Sequence, residues 1–94
     1  MTVLAADIEH ALQLEATGEV AVIGLAHPDL GQVVAAVVTD AGDLVRLPEV
    51  SRRVLAPEQR PRRWFHLPFL PLTGAGKVDT AAVVRAVARE GADA

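Results

Sequence analysis

Apolar residues recur along this chain in two rhythms, and the change of rhythm predicts the elements. Over residues 5–16, Ile8, Ala11, Leu12 and Leu14 fall at helical spacing, and Asp7 and Glu9 sit in the first turns, where acidic groups suit the helix dipole. Gly18 marks the stop. Residues 20–25 and 33–39 are instead nearly continuous apolar, β-branched runs, the pattern of inner strands covered on both faces. The His27-Pro28-Asp29-Leu30-Gly31 link and an Asp40-Ala41-Gly42-Asp43 turn bound them. Pro48 then opens a second helix to about Leu55, at the first-turn position that proline favours, and Pro57 stops it. A short strand is expected from Arg63 to His66. Asp79 reads as the N-cap of a last helix over residues 80–89, with Ala81, Val84, Val87 and Ala88 as its apolar stripe, Arg85 and Arg89 towards its end, and Gly91 closing it. The sum is an α+β domain spanning residues 1–94, with a small central sheet of about three strands, antiparallel or mixed, flanked by helices.

Length allows one modest core, since a chain of 94 residues buries roughly 60% of its unfolded surface. Although 51% of residues are hydrophobic, no run approaches the roughly 20 apolar residues of a membrane helix, and no basic segment leads into an apolar one as in a signal peptide. The expected location is cytoplasmic, with no membrane partner. Without cysteine there is no disulfide framework, thiolate zinc site or cysteine nucleophile. A net charge of −3 gives no general affinity for nucleic acid.

The chemistry concentrates in Leu70-Pro71-Leu72-Thr73-Gly74-Ala75-Gly76-Lys77-Val78-Asp79, which sets one lysine on a glycine-punctuated loop ahead of a helix. Gly74 and Gly76 are free to take φ > 0 and expose backbone N–H groups, and Pro71 stiffens the approach, so the Lys77 ammonium can be offered to a phosphate or carboxylate. A nucleotide-binding P-loop is excluded. Its first glycine position holds Pro71, and Val78 after the lysine has no hydroxyl for magnesium. Spacing alone serves an anion site and a solvated turn lysine equally.

Other candidates carry less. His10, His27 and His66 sit on separate elements without metal-ligand spacing, and His27 beside Pro28 reads as loop structure. Asp7 with Glu9 is a charge pair at a helix start, not an acid/base dyad. Arg52, Arg53, Arg60, Arg62 and Arg63 form a basic stretch, read either as a solvated face or as guanidiniums lining the entry of a phosphate-bearing ligand. Trp64, Phe65 and Phe69 suit core and interdomain packing better than base stacking.

Four segments, in order, resemble the small C-terminal domain of the adenylate-forming acyl-activating enzymes: acyl-CoA synthetases, adenylation domains of peptide synthetases, and luciferases. Val3-Leu4-Ala5-Ala6-Asp7-Ile8-Glu9-His10-Ala11-Leu12 is similar to the family's first helix. Residues 20–38, with His27-Pro28-Asp29-Leu30-Gly31 at their centre, resemble its strand, loop and strand. Leu55-Ala56-Pro57-Glu58-Gln59-Arg60-Pro61-Arg62-Arg63-Trp64 is similar to the next segment. Leu70-Pro71-Leu72-Thr73-Gly74-Ala75-Gly76-Lys77-Val78-Asp79 resembles the last core motif.

The resemblance implies the C-terminal domain fold of AMP-binding enzymes and a lid that rotates between two steps, carboxylate adenylation by ATP and transfer of the acyl group to a thiol. By position Lys77 is the catalytic lysine of adenylation, Thr73, Gly74 and Gly76 would face the nucleotide, and Arg60 and Arg62 the CoA or phosphopantetheine phosphate. ATP, AMP and Mg2+ would be held mainly by a large N-terminal domain, in cis or in trans, and an acyl carrier protein is a possible further partner. Departures are Glu58 where tyrosine is frequent, Gln59 where lysine is frequent, and Thr80 where arginine commonly follows the aspartate. An alternative of another class is a non-catalytic docking module derived from this domain. A third is a stand-alone phosphate binder with measurable AMP or CoA affinity. The acyl substrate is left open.

Overall fold

A computed structural model describes residues 5–93, and side chains through residue 89. Val3 and Leu4, which open the first matching segment, lie outside the described residues. The order is α1 (Ala5–Gln13), β1 (Val20–His27), β2 (Gly31–Val38), α2 (Ala41–Val54), a single 3-10 turn (Pro57–Gln59), β3 (Arg63–His66) and α3 (Thr80–Asp93). β1 and β2 form an antiparallel hairpin from Val20 opposite Val38 to His27 opposite Gly31. β3 lies parallel to β2 on its other side, Ala35 opposite Arg63 and Val38 opposite His66. The strand order β1-β2-β3 makes a mixed three-stranded sheet, so the α+β class holds.

The continuous apolar runs are explained by the two faces of that sheet. Successive strand side chains point to opposite faces. Val20, Val22, Ala36 and Val38 face α1 and α2, where they meet Ile8, Leu12, Leu47, Val50 and Leu55. Ala21, Ile23, Ala35, Val37 and Phe65 face the other way and meet Leu67, Leu70, Val83 and Val87. Both faces are therefore covered, as expected. β2 alone is central in hydrogen-bonding terms, and β1 is an edge strand whose open side is guarded by α1. Glu9 Oε2 accepts the Val22 N–H at 3.0 Å and Gln13 Oε1 accepts the Val20 N–H at 3.0 Å. Two side chains one helical turn apart thus occupy edge donors that would otherwise be open to another strand.

The helices depart from expectation in four places. α1 ends at Gln13, and Leu14, in the turn beyond, is exposed. α2 begins at Ala41, not at Pro48: Asp40 is its N-cap and accepts the Gly42 N–H at 2.7 Å. The same Asp-x-Gly-Asp pattern serves a turn and a helix start, because in both a short carboxylate takes a nearby N–H. Pro48 lies inside the helix, where it removes one i→i−4 hydrogen bond; buried Leu47 and Val50 hold the helix against the sheet around it. In α3 the buried stripe is Val83 and Val87, with Val84 only partly covered and Ala81 and Ala88 exposed, and the helix continues through Gly91 to Asp93. The Asp79 cap is present, its Oδ1 accepting the Ala82 N–H at 3.1 Å.

Candidate functional site

Lys77 stands on a small hairpin between β3 and α3, and every residue around it has a mechanical task. Leu70 behind the hairpin is buried and Val78 packs on the same core cluster. Leu72 and Val78 form an antiparallel bridge, and the Asp79 N–H donates to the Pro71 carbonyl at 2.8 Å. Thr73 closes the loop three times: its N–H donates to the Lys77 carbonyl at 2.7 Å, its carbonyl accepts the Gly76 N–H at 2.9 Å, and its Oγ1 accepts the Lys77 N–H at 3.3 Å. Only Gly76 has a positive φ, +83°, while Gly74 does not, which corrects the expectation for the pair. A three-residue loop whose last member is left-handed is a common hairpin connection, and glycine is what fits that position. Asp79 then starts α3, so the hairpin is clamped to the core at one end and to a helix cap at the other.

The clamping concerns backbone only. Residues 72–77 are exposed, and among the described residues no carboxylate lies within ion-pair distance of the Lys77 ammonium. A full positive charge is thereby held out on a fixed base with its stem free to extend, which is the arrangement a mobile phosphate or carboxylate ligand would need.

The arginines are not gathered with it. Arg60 is employed within the fold: its Nε donates to the Leu55 carbonyl at 3.1 Å and its NH2 group to the Arg52 carbonyl at 3.0 Å, which satisfies the C-terminal end of α2. Arg62 is exposed, and its backbone N–H donates to Val34 at 2.8 Å. Both precede β3, whereas the Lys77 hairpin follows it. Arg63 lies over the Phe65 ring, 4.9 Å from its centroid. Of the departing pair, Gln59 caps the 3-10 turn by accepting the Ala56 N–H at 3.1 Å, and Glu58 is exposed. His27 accepts the Asp29 and Leu30 N–H groups through Nδ1, both at 3.1 Å, and so shapes the hairpin loop. Among the described residues no group of three or more His, Cys, Asp or Glu side chains is placed to hold a metal ion.

Sequence reasoning missed Asp43. It is fully buried, and its carboxylate accepts the Thr17 N–H at 3.1 and 2.9 Å and the Gly18 N–H at 2.9 Å, with Arg46 at 2.9 Å. Burial pushes its pKa up, but the Gly18 and Thr17 N–H groups and the Arg46 guanidinium outweigh that and hold it below the ordinary value. The only signal in the chain was an acidic residue in the first turn of a helix that had been placed too late. No helix among the described residues is long and apolar enough to cross a membrane.

Comparison with known proteins returns one architecture. The family model described as AMP-binding enzyme C-terminal domain matches residues 7–77. A salicyl-AMP ligase / salicyl-S-ArCP synthetase of Mycobacterium tuberculosis (strain ATCC 25618 / H37Rv) is 36% identical, over 89% of this chain but 16% of its own length. An amide bond synthetase from Marinactinospora thermotolerans superposes with a TM-score of 0.75 at 33% identity, covering 88% of this chain and 18% of that one. A Mycobacterium tuberculosis fatty acyl CoA synthetase superposes with a TM-score of 0.79 at 26% identity, covering 92% of this chain and 18% of that one. The chain thus spans less than a fifth of the length of each of these relatives.

Proposed function

The chain belongs to the AMP-binding enzyme C-terminal domain family, and from that premise we propose that it is the lid of an adenylate-forming ligase, delivering Lys77 to a nucleotide held by a large N-terminal domain. The observation that carries the reading is the exposed, unpaired ammonium of Lys77 on a hairpin fixed at both ends. In the reaction, a carboxylate oxygen of the acid bonds to the α-phosphorus of ATP. The bond from that phosphorus to the bridging oxygen breaks, and pyrophosphate leaves. Negative charge builds where carboxylate and phosphate meet, and an ammonium brought there on a rigid base in a water-poor cleft stabilises it. ATP and Mg2+ would rest mainly on the large domain. Thr73 and the open N–H groups of Gly74 and its neighbours would lie beside the nucleotide when the lid is closed.

Carboxylate activation is the step we assign; the acceptor is left wider than a CoA thiol. The printed names of the relatives include an acyl CoA synthetase, a salicyl-S-ArCP synthetase and an amide bond synthetase, so the second step differs among them. For this chain a CoA or carrier-protein thiol remains the proposal, with Arg62 better placed than the occupied Arg60 to meet its phosphate. A cytoplasmic setting follows from those metabolites.

The test is complementation. A large domain lacking its own lid, supplied with this chain, is expected to release pyrophosphate from ATP and the acid. Lys77→Ala should lower that rate roughly a hundred- to a thousandfold. Equal rates with wild type and Lys77→Ala would favour the docking-module alternative and sink the catalytic assignment.

A further inference from the structure

Beside the Lys77 hairpin the surface is apolar where a freely solvated lid has no need of it. Phe69 is 68% exposed and Leu72 57%, and Pro68 and Pro71 continue the same ledge. Leu72 is the bridge partner of Val78, so it stands at the base of the hairpin that presents Lys77. The ledge is continuous with a shallow groove floored by Ala82 and Ala86 of α3 and edged by Arg85 and Arg89. The acidic residue nearest this groove in the chain, Asp79, is committed to capping α3. Lys77, Arg85 and Arg89 are all exposed, so this face is basic in a chain of net charge −3.

We propose that the ledge of Pro68, Phe69, Pro71 and Leu72, flanked by Arg85 and Arg89, is the seat on which this lid closes against its large domain, and that the opposing wall is apolar with carboxylates facing the two arginines. This rests on the reading that Lys77 enters a nucleotide cleft. The Lys77 stem is only four carbons long, so an ammonium that reaches a phosphate in a water-poor site must bring its hairpin against the rim of that site. Leu72 and Phe69 are then covered. Burying them offsets the cost of ordering the interface, and burial of exposed aromatic and aliphatic side chains at the centre of a contact is where binding energy concentrates. The flanking arginines set orientation and speed encounter through complementary charge.

The test uses the large domain of the Mycobacterium tuberculosis salicyl-AMP ligase with its own C-terminal segment replaced by this chain, against the isolated chain as control. Hydroxyl-radical footprinting is read at Phe69 and Leu72 with salicylate and ATP present. Both residues are expected to lose reactivity in the fusion relative to the isolated chain, and to do so equally in the Lys77→Ala fusion. Phe69→Ser with Leu72→Ser should lower pyrophosphate release about thirtyfold, the scale of a lost interface hot spot, with unchanged circular dichroism and Trp64 emission. Arg85→Glu with Arg89→Glu should weaken closure in a salt-dependent way. Phe69 as reactive in the fusion as in the isolated chain overturns the proposal whether or not the fusion turns over. Concentration-dependent protection in the isolated chain assigns the ledge to a second copy and also overturns it. Protection of the ledge together with full activity of Lys77→Ala would leave the seat standing and instead remove the catalytic role of the lysine.

Discussion

Two charged side chains on this small fold have opposite fates, and the difference is what their surroundings supply. Asp43 is buried and meets two backbone N–H groups and Arg46, so it ties the α1–β1 connection to the start of α2. Lys77 is exposed and among the described residues meets no carboxylate. Asp43→Ala is expected to cost about 3 kcal/mol, because the Thr17 and Gly18 N–H groups lose their acceptor in a partly buried place. Urea unfolding followed by the single tryptophan, half-buried Trp64, would measure it. The same carboxylate sets a pH dependence. Its folded pKa lies below the ordinary 3.8, so the native state binds fewer protons than the unfolded chain. Its contribution is complete above that value and is lost as pH falls below it. Acid unfolding of Asp43→Asn should therefore be shallower than that of wild type over that range; identical slopes would show that other carboxylates dominate. The two glycines of the hairpin give a paired prediction. Gly76→Ala forces a side chain into φ +83° and should cost about 1–2 kcal/mol, whereas Gly74→Ala meets open space at an ordinary φ and should change stability little.

At the level of elements, the strands were legible and the second helix was not. Residues 20–25 and 33–39 read as covered on both faces, and the two separate core clusters show why the usual alternation is missing. Arg63–His66 and the Asp79 cap were likewise readable, because a β-branched or aromatic run and an Asx cap are local signals. The start of α2 was misplaced because Asp40 and Pro48 each carry two meanings, and the choice between them depends on Asp43 reaching Thr17 and Gly18 across 25 residues of chain. Spacing along the chain cannot contain such a contact. Nor could it reveal that Arg60 is spent on the end of α2, or that Glu9 serves the β1 edge rather than its own helix start. Glu9→Ala should leave the Val22 N–H without its acceptor, cost about 1–2 kcal/mol, and accelerate amide exchange at Val22 far more than at the central Ala36. Equal exchange at both would mean that the edge bond is not made in solution.

For the whole molecule, the sheet with its two helical faces is best understood as a rigid holder for one hairpin. One face is closed by α1 and α2 and the other by α3, so the hairpin between β3 and α3 is left projecting with Lys77 outermost. The position of the lysine in its motif was plain in the sequence. The way Thr73 and Gly76 hold its backbone, and the apolar ledge at its base, required coordinates, because both arise from pairing between residues 70–79 and from what the core leaves uncovered. A chain that spans less than a fifth of its relatives contributes a movable charge and a surface to close on, and the nucleotide site is assigned to the remainder. The most direct measurement compares the two half-reactions in single turnover for the assembled enzyme carrying Lys77→Ala. Adenylate formation is expected to fall roughly a hundred- to a thousandfold, while consumption of supplied acyl-adenylate by the acceptor stays near the wild-type rate; an equal loss in both steps, or none in the first, would contradict the account.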